Sequence, residues 1–243
     1  MTRLSAQLSF ADETVLLHEL NHRVNNEFAS AISVASLAAA RSGNSEVKTA
    51  LTAVTELLQH YASVHHALRM PEHGDTVLDA EAYLRQLCLS INRSHLDNRN
   101  IRLSLAIEPL LLPADISWRL AMIVYELIIN AVRHAFEARG GEICVTVRRD
   151  GAVVTCGVQD NGSAAPNIQP GRGRKLVEAL SSALGGRVKQ IFGSHGSTAL
   201  VIFPCAGASN NHRRRPPKGN HAPLEAAAGR RRTGVGDALA TCR

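Results

Sequence analysis

Between Val47 and Leu68 the chain repeats apolar or aromatic side chains at alternating spacings of four and three: Val47, Leu51, Val54, Leu58, Tyr61, His65 and Leu68. A heptad seam of this kind commits the segment to a helix with one face covered by other helices. The stretch before it carries Leu16, Leu20, Val24, Phe28 and Ile32 at spacings of four, widened by a row of alanines from Ala29 to Ala40. Arg41-Ser42-Gly43-Asn44 separates the two, and predicts a C-cap at Gly43 and Asn44 and an N-cap at Ser45. Two such helices cannot cover each other's stripes in isolation, so a homodimer forming a four-helix bundle is expected.

Beyond Met70-Pro71-Glu72-His73-Gly74-Asp75, which breaks the helical pattern, the period changes. Spacing and punctuation predict helices over about 79–94, 114–138 (opened by Pro113) and 175–184. Strands are predicted over 101–107, 142–149, 153–160, 187–192 and 197–203, with Asp150-Gly151 as a hairpin turn. The expected fold class is α+β: an N-terminal helical hairpin followed by an α/β two-layer sandwich.

The net charge of +6 sits in one place. From Gly207 onward there are eight Lys/Arg against two acids, whereas the rest of the chain carries 19 of each sign. A neutral body argues against a DNA-binding domain. The Pro/Gly/Ala/Arg-rich tail is expected to be disordered, and nucleic acid enters only as a partner for its arginine clusters. No apolar run approaches the roughly 18 residues of a membrane span, and the start MTRLSAQLSFADE lacks a signal peptide's apolar centre, so a cytoplasmic protein is expected. Cys88, Cys144, Cys156, Cys205 and Cys242 lie far apart without a C-x-x-C pair, and read as reduced fillers, not as a disulfide framework or a zinc site.

Three constellations carry chemistry. In His18-Glu19-Leu20-Asn21-His22-Arg23-Val24-Asn25-Asn26 the two histidines are one turn apart, a metal-ligand spacing with no third ligand beside it. His22 reads either as a polar residue on a bundle surface or as a nucleophile for a phosphoryl group, since an imidazole offers a neutral nitrogen near pH 7. In the second, Glu126, Asn130 and Arg133 or His134 share a helix face opposite Leu120, Ile123, Val124 and Leu127. That face is either solvated or suited to a Mg²⁺–phosphate site. The third is Asp160-Asn161-Gly162 at a strand end, followed by Gly171-Arg172-Gly173-Arg174 at a helix start. An acid there can accept from an exocyclic amine, and glycines before a helix let backbone N–H groups approach phosphate; Asp-Asn-Gly is also a plain turn.

In this order the pieces resemble one family. LLHELNHRVNNEF closely resembles the phosphoacceptor box of the HWE and related HisKA-type-two histidine kinases. YELIINAVRHAF resembles their N box, QDNG their adenine box, and GRGRKLVEALSSALGGRV with GSTALVIFP the remainder of a Bergerat-type ATP-binding domain. The likeness covers residues 11–204. It implies dimerisation and phosphoacceptor helices over 1–72, an ATP-binding domain over 75–204 and a basic tail from 205, with ATP and Mg²⁺ as cofactors and a response-regulator receiver domain as partner. An upstream sensory partner would bring the stimulus.

Residue by residue, the resemblance makes His22 the phosphorylated histidine and Glu126 the N-box carboxylate that orients a water or acts as base. Asn130 matches the Mg²⁺ ligand, with Arg133 and His134 following it in the nucleotide-binding box. Asp160 matches the adenine aspartate, Gly162 the glycine beside the base, Gly171 and Gly173 the phosphate-side glycines, and Thr198 the final-strand hydroxyl. Four positions depart from the pattern: Asn25 replaces a lysine, Ala164 a second glycine, and Arg172 and Arg174 small apolar residues. The rival reading these favour is a histidine phosphotransfer or docking protein with a vestigial nucleotide site.

Overall fold

The heptad-patterned segments form a hairpin in the computed structural model, which describes residues 10–69, 76–136, 140–163, 172–193 and 195–205, the side chains of 10–18 and 98 excepted. Helix α1 (Phe10–Arg41) and helix α2 (Ser45–Ala67) run antiparallel, with Phe28 and His65 in ring contact at 6.1 Å. The cap of α2 is Asn44, not Ser45: its backbone is extended, and its side-chain oxygen accepts from Glu46 N at 2.8 Å and Val47 N at 3.3 Å. Pairing within one hairpin leaves Leu20, Val34, Leu37, Val47 and Val54 exposed. The linker expected at 70–75 and the basic tail beyond Cys205 lie outside the described residues.

The second unit opens with strand β1 (Val77–Asp79), whose last residue caps helix α3 (Ala80–Ile91) through Asp79 Oδ1 and Ala82 N at 3.1 Å. Helix α3 then loosens into a π turn over Asn92–Leu96 before strand β2 (Ile101–Ile107). Strand β3 (Leu111–Pro113) pairs with β1, and helix α4 (Ala114–His134) follows. Strands β4 (Gly141–Asp150) and β5 (Val153–Asp160), helix α5 (Arg172–Ala183), and strands β6 (Arg187–Gly193) and β7 (Gly196–Pro204) complete it. The sheet order is β2-β4-β5-β7-β6, antiparallel except β2 with β4, which α4 connects as a crossover.

Helix α4 is the keel of this unit. Leu120, Ile123, Val124, Leu127 and Ile128 are buried against the sheet, each contributing roughly 1.5–3 kcal/mol relative to exposure. The helix ends at His134 instead of 138: the Ala135 carbonyl, which a further turn would engage, accepts from Ser163 N at 3.0 Å. Cys88, Cys156 and Cys205 are buried free thiols, as fillers should be. Cys144 is disulfide-bonded and departs from that reading.

Candidate functional site

His22 stands exposed on α1, and its Nδ1 lies 3.1 Å from the side-chain amide of Asn26, one turn on. The atom facing the ring is the amide nitrogen, which donates to a bare Nδ1; the amide turned over would present its oxygen to Nδ1–H instead. Arg23 turns aside to pair with Glu19 at 2.8 Å, an exposed i,i+4 bridge. Among the described residues no apolar packing seals the ring.

The second cluster lies along α4. Asp115, Arg119, Glu126, Asn130 and Arg133 form a polar stripe beside the buried row, at spacings that keep one face. Burial pushes the Glu126 carboxyl above the usual carboxylate range, while the Arg133 charge pulls it back. His134, at the end of the helix, is exposed. Across this stripe lies the start of α5, where Gly173 leaves no room for a side chain. A Cβ there would meet Glu126 Oε2 at 2.7 Å and the Asn130 amide at 3.3 Å. Two motifs 43 or more residues apart in sequence thus make one cradle. Arg172 is exposed, and Arg174 pairs with Glu178 at 3.1 Å. Gly171 and Ala164 lie outside the described residues.

The third cluster is the C-terminal end of β5. Asp160 is only 6% exposed, and its Oδ1 accepts from Gly162 N at 3.0 Å and Ser197 N at 3.2 Å. Burial raises its pKa, and those hydrogen bonds together with one from the Ser197 side chain oppose the rise. Gly162 is as constrained as Gly173, since a Cβ would fall 2.2 Å from the Ala135 carbonyl oxygen. The Asp160 turn is therefore packed on the end of the helix that carries Glu126 and Asn130.

Thr198 pairs in the ladder with Gln159, one step out of phase with Asp160. Strand alternation sends it to the opposite face of the sheet. The hydroxyl on the face of Asp160 is that of Ser197, which no sequence pattern singles out; the pairing of β7 with β5 sets this phase, and the adjacent Gly196 has φ +127. The donor set fits a magnesium-bound nucleotide: an amide oxygen, the buried carboxyl of Asp160, the half-buried carboxyl of Glu126, and two glycines whose missing side chains leave the backbone open.

Comparison with known proteins points the same way. A family model described as histidine kinase matches residues 19–95, and one described as histidine kinase-like ATPase domain matches residues 98–188. The chain is 31% identical over 174 residues to the sensor histidine kinase PdtaS of Mycobacterium tuberculosis, covering 69% of this chain and 34% of that protein. It is 24% identical over 198 residues to blue-light-activated histidine kinase 2 of Erythrobacter litoralis, 77% of this chain and 56% of that one. The chain thus spans about a third of the length of the PdtaS relatives it matches. Among solved structures, the histidine kinase domain of a blue-light-activated kinase of Erythrobacter litoralis shares the fold. Its TM-score is 0.53 at 18% identity, over 72% of this chain and 95% of that one.

Proposed function

Because the chain belongs to the histidine kinases of the second HisKA type, matched in both its hairpin and its ATPase-like domain, we propose that it autophosphorylates His22 from Mg²⁺-ATP. The phosphoryl group then passes to an aspartate on a response-regulator receiver domain. The observation that carries this reading is the contact of Gly173 with Glu126 and Asn130, which joins the N box and the glycine loop into one cleft.

ATP with Mg²⁺ supplies the phosphoryl group and neutralises charge in a loose transition state, so positioning is most of the chain's task. Asn130 offers its side-chain oxygen to the metal, with Arg133 and His134 at the rim. Asp160 accepts from the exocyclic amine of the base, with Gly162 giving the base room. Gly171 and Gly173 leave the backbone open to the phosphates. The raised proton affinity of Glu126 suits it to take a proton as the imidazole of His22 reacts.

The exposed apolar residues of the hairpin support a homodimer, with units at 1–72 and 75–204. Dependence on ATP assigns the work to the cytoplasm; among the described residues no helix is long and apolar enough to cross a membrane. An upstream sensory partner delivers the stimulus, and any nucleic-acid contact is left to the tail. The intact Gly173 cradle favours this reading over a vestigial nucleotide site.

The test is incubation with γ-labelled ATP and Mg²⁺. Acid-labile, base-stable label is expected, absent from His22→Ala and Asn130→Ala. Label that survives His22→Ala would overturn the assignment.

A further inference from the structure

The last carbonyls of a helix have no partner within it, and at the end of α2 two of them are taken by the ATPase-like domain. Tyr83 Oη on α3 donates to Ala67 O at 2.5 Å, and Trp118 Nε1 on α4 donates to Leu68 O at 2.8 Å. Burial pushes the Tyr83 phenol up to about 12, which keeps it a donor. A second tie lies two turns back along α2: Tyr61 meets His95 edge-on at 5.0 Å, and His95 meets Tyr125 at 6.4 Å.

The two ties fix a relative level. From Leu68 to Tyr61 is seven residues back along α2, and from Trp118 to Tyr125 is seven residues forward along α4, so the helices run in opposite senses with the hairpin turn ahead of α4. Asn130 lies twelve residues beyond Trp118, about 18 Å further toward that turn at 1.5 Å per residue. His22 lies six residues before Phe28, which faces His65, and so is displaced roughly 9 Å away from the turn. The two residues that must share a phosphate are thus offset by on the order of 20 Å along the bundle, against the roughly 3–3.5 Å of a reacting pair. In the proposed dimer, with its twofold axis along the bundle, His22 of the partner subunit sits at the same level and meets the same gap.

We propose that Tyr83 and Trp118 form a clasp on the end of α2 that holds the nucleotide domain off the level of His22, and that its release is a step of autophosphorylation. They are positioning residues. The clasp borders a cavity of about 770 Å³ at the junction, lined among others by Phe28, Ile32, Tyr83, Leu89, Arg93 and Trp118. Open space beside the two hydrogen bonds gives the domain somewhere to move. The inference rests on the kinase reading and adds the device that holds the resting state.

The experiment uses the full chain, whose single tryptophan is the clasp residue itself. Tyr83→Phe and Trp118→Phe each remove one hydrogen bond and leave the ring. Each is expected to label His22 faster, roughly threefold to tenfold, the factor that one net hydrogen bond represents. Mg²⁺-ATP affinity and far-ultraviolet circular dichroism should match the parent. In Tyr83→Phe the Trp118 emission is expected to shift to the red as the indole gains water. A parent that labels His22 while both variants label it no faster overturns the clasp; if Trp118→Phe fails to fold, Tyr83→Phe alone decides. Absence of label from every form overturns the kinase reading instead, and the emission of Tyr83→Phe then decides the clasp, an unshifted spectrum sinking it.

Discussion

Gly173 and Glu126 are in direct apposition: a methyl group on the glycine would reach to 2.7 Å from the carboxylate oxygen Oε2. Gly173 is the second residue of α5 and has no left-handed backbone to protect. In a helix alanine is favoured over glycine by up to about 1 kcal/mol, so Gly173→Ala should not destabilise the fold. The end of the Glu126 side chain is the atom that gives way. We therefore expect Gly173→Ala to keep or slightly raise the unfolding temperature while autophosphorylation falls by about tenfold or more, given what a displaced general base forfeits. Thermal unfolding and labelling on the same sample check this, and equal activity with the parent would show that Glu126 has no task in that position.

Asp160 supplies a prediction with a definite sign. Its pKa in the fold lies above the ordinary value, first because burial disfavours the charge. A carboxyl whose folded pKa is raised binds more protons in the native state than in the unfolded one, so its contribution to stability falls as pH climbs from the ordinary carboxylate range through the raised pKa. Asp160→Asn keeps an oxygen for the N–H groups of Gly162 and Ser197 and removes the titration. Relative to the parent, the variant should gain stability as pH rises across that window and hold the gain above it, with weaker binding of Mg²⁺-ATP throughout. Denaturant unfolding at stepped pH checks the first part, and calorimetry the second.

How much of this was legible before the fold follows from where periodicity exists. The heptad seam, the α4 row from Leu120 to Leu127 and the alternation of β2 and β5 each span enough residues to show their period, and β2 and β5 have the bounds predicted. Strands β1 and β3 have three residues each and no period, so they went unseen. The exchange of Ser197 for Thr198 beside Asp160 is a matter of register: one residue reverses a strand's faces, and the phase is set by the pairing of β7 with β5. Tyr83 and Trp118 reach carbonyls 16 and 50 residues away, a distance over which local pattern carries no information.

The hairpin's outer stripe predicts assembly. Val34 is 67% exposed and Leu37 50%, on a helix where Val24, Phe28 and Ile32 are half covered. Burying such side chains at a bundle seam contributes roughly 1.5–3 kcal/mol each, and a charge placed there loses that and must be desolvated. Val34→Glu with Leu37→Glu is expected to convert a dimer into a 26.1 kDa monomer, read by light scattering on a sizing column. The ATPase-like domain, which does not contain the stripe, should bind nucleotide as before. A parent already monomeric at micromolar concentration would remove the four-helix bundle from the account.

The contact between His22 and Asn26 decides which ring nitrogen is free to react. In the structure the Asn26 NH₂ faces Nδ1, which leaves the ring proton on Nε2; with the amide turned over, its oxygen accepts from Nδ1–H and the lone pair stays on Nε2, on the solvent side of an exposed ring, and this is the form expected to react. Three variants separate the cases. Asn26→Ala lets the ring turn and should slow labelling by roughly threefold to tenfold, the worth of one hydrogen bond. Asn26→Asp can only accept at neutral pH, so it should hold Nδ1–H, match or exceed the parent, and favour the phosphorylated ring, whose remaining N–H is more acidic. Asn26→Lys can only donate and should label more slowly than alanine. Nucleotide affinity should be equal in all, because the side chain lies on α1 and outside the Glu126–Asn130–Gly173 cradle. A reversed order, with lysine fastest, would mean that Nδ1 is held bare and that the reacting nitrogen is not the exposed one.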